Sequence, residues 1–289
     1  MINHTQETAT LLLYCPDKEG IILAVTDFIF KNGGNVVELD QHTDIENQIF
    51  FMRVKWELSQ FKIPSDKIGE YFSTLIAQPF AMKWQLHQSE KTPNIAVFVT
   101  KLSHCLYDII SRVSTSEWNA TIKVIVSNHQ LLEPLAKKFD IPFVYLPITT
   151  ENKQEQEAKQ LAVMQEYDID LIVLARYMQI VSDGFIKRFP NKIINIHHSF
   201  LPAFPGARPY HSAFERGVKV IGATSHYVTE ELDAGPIIEQ DVTQVSHKNS
   251  IGDLKRKGRD LEKLVLSRAI YHHIQRKVLV YNNKTIVFD

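Results

Sequence analysis

The chain has 289 residues, 44% of them hydrophobic and 22% charged, with a formal net charge of −1. That is the composition of a globular protein with a sizeable core in one large or two ordinary domains, and it offers no basic field for nucleic acid or an anionic membrane. No uncharged apolar run approaches a membrane span, no signal peptide opens the sequence, and Cys15 and Cys105 have neither metal nor disulfide spacing, which together predict a cytoplasmic protein.

Thr10–Cys15 reads as a strand, closed by the turn Pro16–Gly20, where Asp17 is a candidate cap for the next helix. Ile22, Val25 and Ile29 fall at helical spacing within Ile21–Lys31, and Asn32-Gly33-Gly34 stops that helix. Asn35–Thr43 and Gln48–Trp56 are strand-like around a polar turn. Ser65–Ala77 reads as a second helix and Met82–His87 as a closing strand. The order β-α-β-β-α-β predicts a ferredoxin-like domain over residues 1–88, and polar residues 89–93 predict a linker.

From 94 to 289 strand and helix patterns alternate. Ile95–Val99, Ile122–Val126, Phe143–Leu146 and Leu171–Leu174 read as strands. Ser103–Ser111, Leu131–Phe139, Gln154–Glu166 and Gly184–Arg188 read as helices, with Ser103 in an N-cap position. This predicts an α/β domain with a Rossmann-like, mostly parallel open sheet covered on both faces. Lys192–Ile196 continues the series as a buried strand. Pro202, Pro205, Gly206 and Pro209 then impose an irregular loop. Val218–Val228 and Pro236–Val242 add two strands, Ile251–Gln275 a long amphipathic helix, and the last residues a small β piece.

Polar groups gather where the Lys192 strand ends: Asn195, His197, His198 and Ser199. In open α/β sheets ligands sit at such strand ends. Asn195 is an amide donor, His197 exchanges protons near neutral pH, and Asp233 precedes a glycine, Gly235, that permits a sharp turn. Amide, imidazole and carboxylate suffice for acyl transfer, although the residue types alone leave a structural role open. His197, His198, His211, His226 and His247 lack the spacing that fixes a metal, so none is expected.

The longer pattern is more specific. Asn195-Ile196-His197, Ser199-Phe200-Leu201-Pro202, Gly222-Ala223-Thr224-Ser225-His226-Tyr227-Val228 and Asp233-Ala234-Gly235-Pro236-Ile237-Ile238 resemble the folate-dependent formyltransferase family from about Asn94 onward. The resemblance implies a formyltransferase-type fold and a catalytic triad of Asn195, His197 and Asp233. His198, Pro202-Ala203-Phe204 and the stretch from Gly206 to His211 are similar to the family's hydrolytic branch. The implied reaction is hydrolysis of 10-formyltetrahydrofolate to tetrahydrofolate and formate, which balances one-carbon pools for purine synthesis. It needs water and the folate but no further cofactor. In it Asn195 and His197 stabilise the developing oxyanion, His197 protonates the leaving nitrogen, and Asp233 orients His197 and takes the water proton.

The resemblance also places Arg176, Tyr177, Met178, Gln179, Ile180 and Val181 at a pterin pocket. His198, Ser199 and Tyr210 are expected to support the water site. Transformylases with phosphorylated acceptors carry a Gly/Ser-rich turn after the first strand of this domain; here Thr100–Leu106 has no glycine, so a phosphate cradle is not expected. Transfer of the formyl group to an amine acceptor, and a non-catalytic folate or amino-acid sensor, are the rival readings. Residues 1–88 resemble an ACT domain, which implies an amino-acid effector near Asp17, Gly20 and Asn35 and a homo-oligomer built through these domains.

Overall fold

The computed structural model describes residues 7–89, 91–203 and 209–288. The chain divides into two compact units. The first runs to Thr92 and takes in Arg276–Leu279 and the chain from Ile286; the second comprises Pro93–Gln275 and Val280–Thr285. The expectation of one domain from 94 to 289 therefore needs correcting at its end, where two short stretches join the first unit.

In the first unit β1 (Thr8–Pro16), α1 (Ile21–Lys31), β2 (Asn35–Asp44), β3 (Ile49–Glu57), α2 (Ile68–Phe72) and β4 (Lys83–Gln88) follow the βαββαβ order. The antiparallel sheet runs β2-β3-β1-β4. β1 is buried almost throughout, and its Leu11 and Leu13 share one core with Val25, Phe28 and Ile29 of α1 and with Ile68 and Phe72 of α2. Two local expectations fail. Asp17 does not cap α1: that helix starts after Gly20 at φ +86° with no side-chain cap, and the Asp17 backbone N–H bonds the Gln48 carbonyl instead. The single helix over Ser65–Ala77 is shortened, because Lys67 N–H closes a turn on the Pro64 carbonyl and Ser73–Ala77 winds as a π-helical turn.

In the second unit β5 (Asn94–Val99), α3 (His104–Ser114), β6 (Thr121–Ser127), α4 (Glu133–Lys138), β7 (Phe143–Tyr145), α5 (Lys153–Glu166), β8 (Leu171–Leu174), α6 (Asp183–Ile186) and β9 (Ile193–His197) come first. They are followed by α7 (Pro209–Arg216), β10 (Val220–Tyr227), β11 (Ile237–Gln244) and α8 (Ile251–Ile274). The hairpin β12 (Val278–Tyr281) and β13 (Lys284–Val287) ends the chain. The seven-stranded sheet runs β11-β10-β9-β8-β5-β6-β7, parallel from β9 to β7 and antiparallel at β10 and β11.

β5 lies between β6 and β8, so the connections leaving β5 and β8 part company at one place on the sheet's carboxyl edge. Such a switch point opens a crevice for a ligand. The Met178 N–H bonds Thr100 Oγ1 there, tying the two connections together. Ser103 stands at the N-cap of α3, as expected, although its hydroxyl makes no capping bond. α7 was not foreseen, because the prolines before it read as loop; Pro209 occupies its first turn, where a missing N–H costs nothing. Residues 204–208 of the expected irregular loop, among them Pro205 and Gly206, lie outside the described residues.

Candidate active site

β-strand periodicity assembles the polar end of the site. Asn195 and His197 are two residues apart on β9 and so share a face. The antiparallel register sets His226 opposite Asn195 and Thr224 opposite His197. The third group arrives on the turn between β10 and β11. Asp233 sits there in the left-handed region at φ +55°. Two residues on, a Cβ at Gly235 would collide with the Tyr227 carbonyl oxygen, so only glycine lets the turn close this tightly on β10. Asn283 Nδ2 donates to the Ala234 carbonyl at 2.8 Å and fixes the turn from the other side.

The result is a chain of three contacts. His197 Nδ1 lies 3.2 Å from Asp233 Oδ2. His226 Nε2 lies 3.7 Å from Asp233 Oδ1 and 3.2 Å from Asn195 Nδ2. His226 Nδ1 is 2.9 Å from the Tyr227 carbonyl, which only accepts, so Nδ1 carries a proton, and Nε2 stands between the Asn195 amide and Asp233. The bond from His197, with His226 beside it, holds the Asp233 carboxyl well below the usual carboxylate range against the upward push of partial burial. His197 is 5% exposed, and its Nε2 is buried with no hydrogen-bond partner among the described residues.

These groups close one end of a cleft of about 300 Å³. Its wall is the β8–α6 connection, with Met178 at 51% and Ile180 at 60% exposure, backed by buried Val181 and Ile186 and faced by Val228 and Leu232. Gln179 also lines it. Apolar walls with a few placed polar groups suit a flat heteroaromatic ligand.

Two of the expected pocket residues point elsewhere. Tyr177 lines the cleft but turns its ring to the core, where it packs edge-on against Phe98 and its hydroxyl accepts from Gln160 Nε2 at 2.9 Å. Arg176 lines the cleft but directs its guanidinium to Glu262, with Nε 3.5 Å from Oε2. Of the expected supporting residues, His198 packs between His197 and Tyr210, at ring centroid distances of 5.2 and 5.7 Å. Ser199 Oγ is buried with no hydrogen-bond partner among the described residues, while its carbonyl accepts from Thr224 Oγ1. Tyr210 donates to Glu262 Oε1 at 2.6 Å. In the first unit Asp17, Gly20 and Asn35 are all exposed, and the Asn35 amide is engaged by Glu57 Oε2 at 3.1 Å.

Sequence reasoning missed His226 and Glu262 as site residues. Both left a signal. Thr224, Ser225 and His226 are three consecutive polar residues on a strand that begins apolar, and all three are buried. Glu262 falls among Gly258, Leu261, Val265 and Leu266 on the buried stripe of α8, where a charge is out of place. Burial pushes the Glu262 carboxyl up, but His104 Nε2 at 2.8 Å, Arg176 and Tyr210 outweigh it and hold it below its ordinary value. A Cβ at Gly258 would strike the Tyr210 hydroxyl, so this glycine is the notch through which Tyr210 reaches Glu262. His104, Cys105 and Glu262 come within metal-ligand reach of one another. Burial pushes the Cys105 thiol well up, away from the thiolate a metal needs, and the Arg176 cation sits on the same carboxylate.

The Formyl transferase family matches residues 93–270. A formyltetrahydrofolate deformylase from Synechocystis sp. is 52% identical over 97% of this chain and 98% of its own length. One from Bacillus subtilis is 45% identical over 98% of this chain and 95% of its own. The crystal structure of a formyltetrahydrofolate deformylase from Pseudomonas syringae pv. tomato superposes with a TM-score of 0.95 at 41% identity, covering 100% of this chain and 96% of that one. Similarity that runs through both units, and not through the formyltransferase-type unit alone, places the chain in the formyltetrahydrofolate deformylase family.

Proposed function

We propose that this chain hydrolyses 10-formyltetrahydrofolate to tetrahydrofolate and formate, with Asn195, His197 and Asp233 carrying the chemistry. The observation that supports it most is the state of His197: one ring nitrogen is fixed on Asp233 and the other is left without a partner at the polar end of an apolar cleft.

The formyl group is a small amide. As water adds to its carbon, negative charge grows on the formyl oxygen. Asn195 Nδ2 has two hydrogens; one goes to His226 Nε2, and the other is free for that oxygen.

Asp233 is already taken up by His197 Nδ1, so the water proton goes to the unpartnered Nε2 of His197 rather than to Asp233. With its Nδ1–H held by Asp233, His197 takes the proton at Nε2, and the ionised Asp233 stabilises the imidazolium. His197 then gives that proton to the folate nitrogen as the C–N bond breaks. Formic acid leaves and ionises, and the balance closes on tetrahydrofolate, formate and one proton. The glycine-free Thr100–Leu106 stretch counts against an amine acceptor held by phosphate.

The test is to follow formate and tetrahydrofolate together, with and without glycinamide ribonucleotide. Equal appearance of the two products, indifferent to the amine, supports hydrolysis; capture of the formyl group by the amine restores the transferase reading.

The same proposal gives the first unit a regulatory and assembly role. Support comes from the exposed Asp17–Gly20 turn and from edge strand β2, which leaves Val36, Val37 and Leu39 partly exposed. Binding of an amino acid such as glycine or methionine by calorimetry, and an oligomer by light scattering, are the expected results; neither effect would leave that unit without this role. A cytoplasmic location belongs to the same reading and rests on the free, buried Cys15 and Cys105.

A further inference from the structure

Arg176 and His198 line the cleft and also a second cavity, of about 280 Å³, whose walls include Tyr210, Lys255, Arg259 and Glu262. Among the described residues, three basic side chains, Arg176, Lys255 and Arg259, share its lining with one carboxylate. That carboxylate is already engaged by Tyr210, His104 and Arg176. Positive charge is therefore left over. Arg176 Nη1 is buried with no hydrogen-bond partner among the described residues. Lys255 and Arg259 stand one turn apart on α8, and among the described residues neither has an acidic partner. Like charges at this spacing repel, and an anion between them relieves the repulsion.

The two cavities meet at the residues next to the proposed chemistry. The first has apolar walls suited to the folate; the second has cationic donors and room for a small carboxylate. We infer that the second cavity receives formate after hydrolysis and carries it out of the site, so that the product anion and the folate leave by different faces of the Arg176–His198 partition. Arginine and lysine suit this task, because a carboxylate offers two oxygens to a guanidinium fork and one to an ammonium. The inference rests on the hydrolytic reading.

Titration of carbon-13 formate into the full chain saturated with tetrahydrofolate, read by NMR line width, tests it. Wild type should bind formate, the double variant Lys255→Ala/Arg259→Ala should bind it roughly tenfold or more weakly, and Arg259→Lys should keep most of the affinity. Tetrahydrofolate affinity should be the same in all three. Formate binding as tight in the double variant as in wild type, or displacement of tetrahydrofolate by formate, overturns the assignment. Formate release from 10-formyltetrahydrofolate by wild type is measured alongside. If release occurs but the double variant binds formate normally, the exit cavity falls and hydrolysis stands. If wild type releases no formate, the hydrolytic reading fails and takes the inference with it.

Discussion

Two carboxylates in the second unit meet the same partner, a histidine, with opposite outcomes. Asp233 bonds His197 through one ring nitrogen at a cleft and leaves the other nitrogen open. Glu262, 1% exposed, bonds His104, Tyr210 and Arg176. Both acids are held ionised by their partners. What separates them is their place: the first pair lines the ligand cleft with one ring nitrogen unpartnered among the described residues, while the second is a tie between α8, α3 and α7. A carboxylate–imidazole pair becomes chemistry only where the fold leaves one of its atoms without a partner.

The largest effect that sharpens this contrast is on turnover. Asn195→Ala removes the oxyanion donor, and Asp233→Asn removes the group that fixes the His197 tautomer; each should lower formate release by about 10²-fold or more while tetrahydrofolate binding survives. Near-normal turnover in either folded variant removes that residue from the mechanism. For the other pair the effect should fall on stability. Glu262→Gln keeps an acceptor for Tyr210 but loses the charge between His104 and Arg176, and should cost about 2 kcal/mol by denaturant unfolding. An unchanged midpoint would mean that the Glu262 tie is idle.

The smallest effect is a pH dependence. Asp233 has a folded pKa below its unfolded one, so its contribution to stability is full above the ordinary carboxylate value of about 3.9 and fades as pH falls from there toward the folded value. The stability gap between wild type and Asp233→Asn should therefore shrink between about pH 5 and about pH 3. A gap that widens on acidification contradicts the depressed carboxyl.

Much of this was legible in the sequence, for physical reasons. Strand and helix patterns gave both sheets, because the short apolar runs of β1, β5 and β8 follow directly from the burial of those strands. Asn195 and His197 announce a shared face by their spacing, and Gly235 announces the turn that carries Asp233. What could not be read was pairing across the chain. Nothing local sets His226 opposite Asn195, sends the Arg176 side chain to Glu262, or takes the Tyr177 ring into the core; those follow from sheet register and from the angle at which α8 lies. The cap expected of Asp17 failed for a related reason. A capping side chain competes with nearby backbone geometry, and at α1 a left-handed Gly20 begins the helix without one.

The central claim is that His197, and not the similarly paired His104, moves the proton. Rates of formate release and unfolding midpoints for His197→Ala and His104→Ala, measured side by side, test it most directly. His197→Ala should lose about 10²-fold or more in rate with little change in tetrahydrofolate affinity, while His104→Ala should keep its rate within several-fold and unfold more readily. Retained turnover in His197→Ala, or a folded His104→Ala as inactive as its counterpart, would contradict the account.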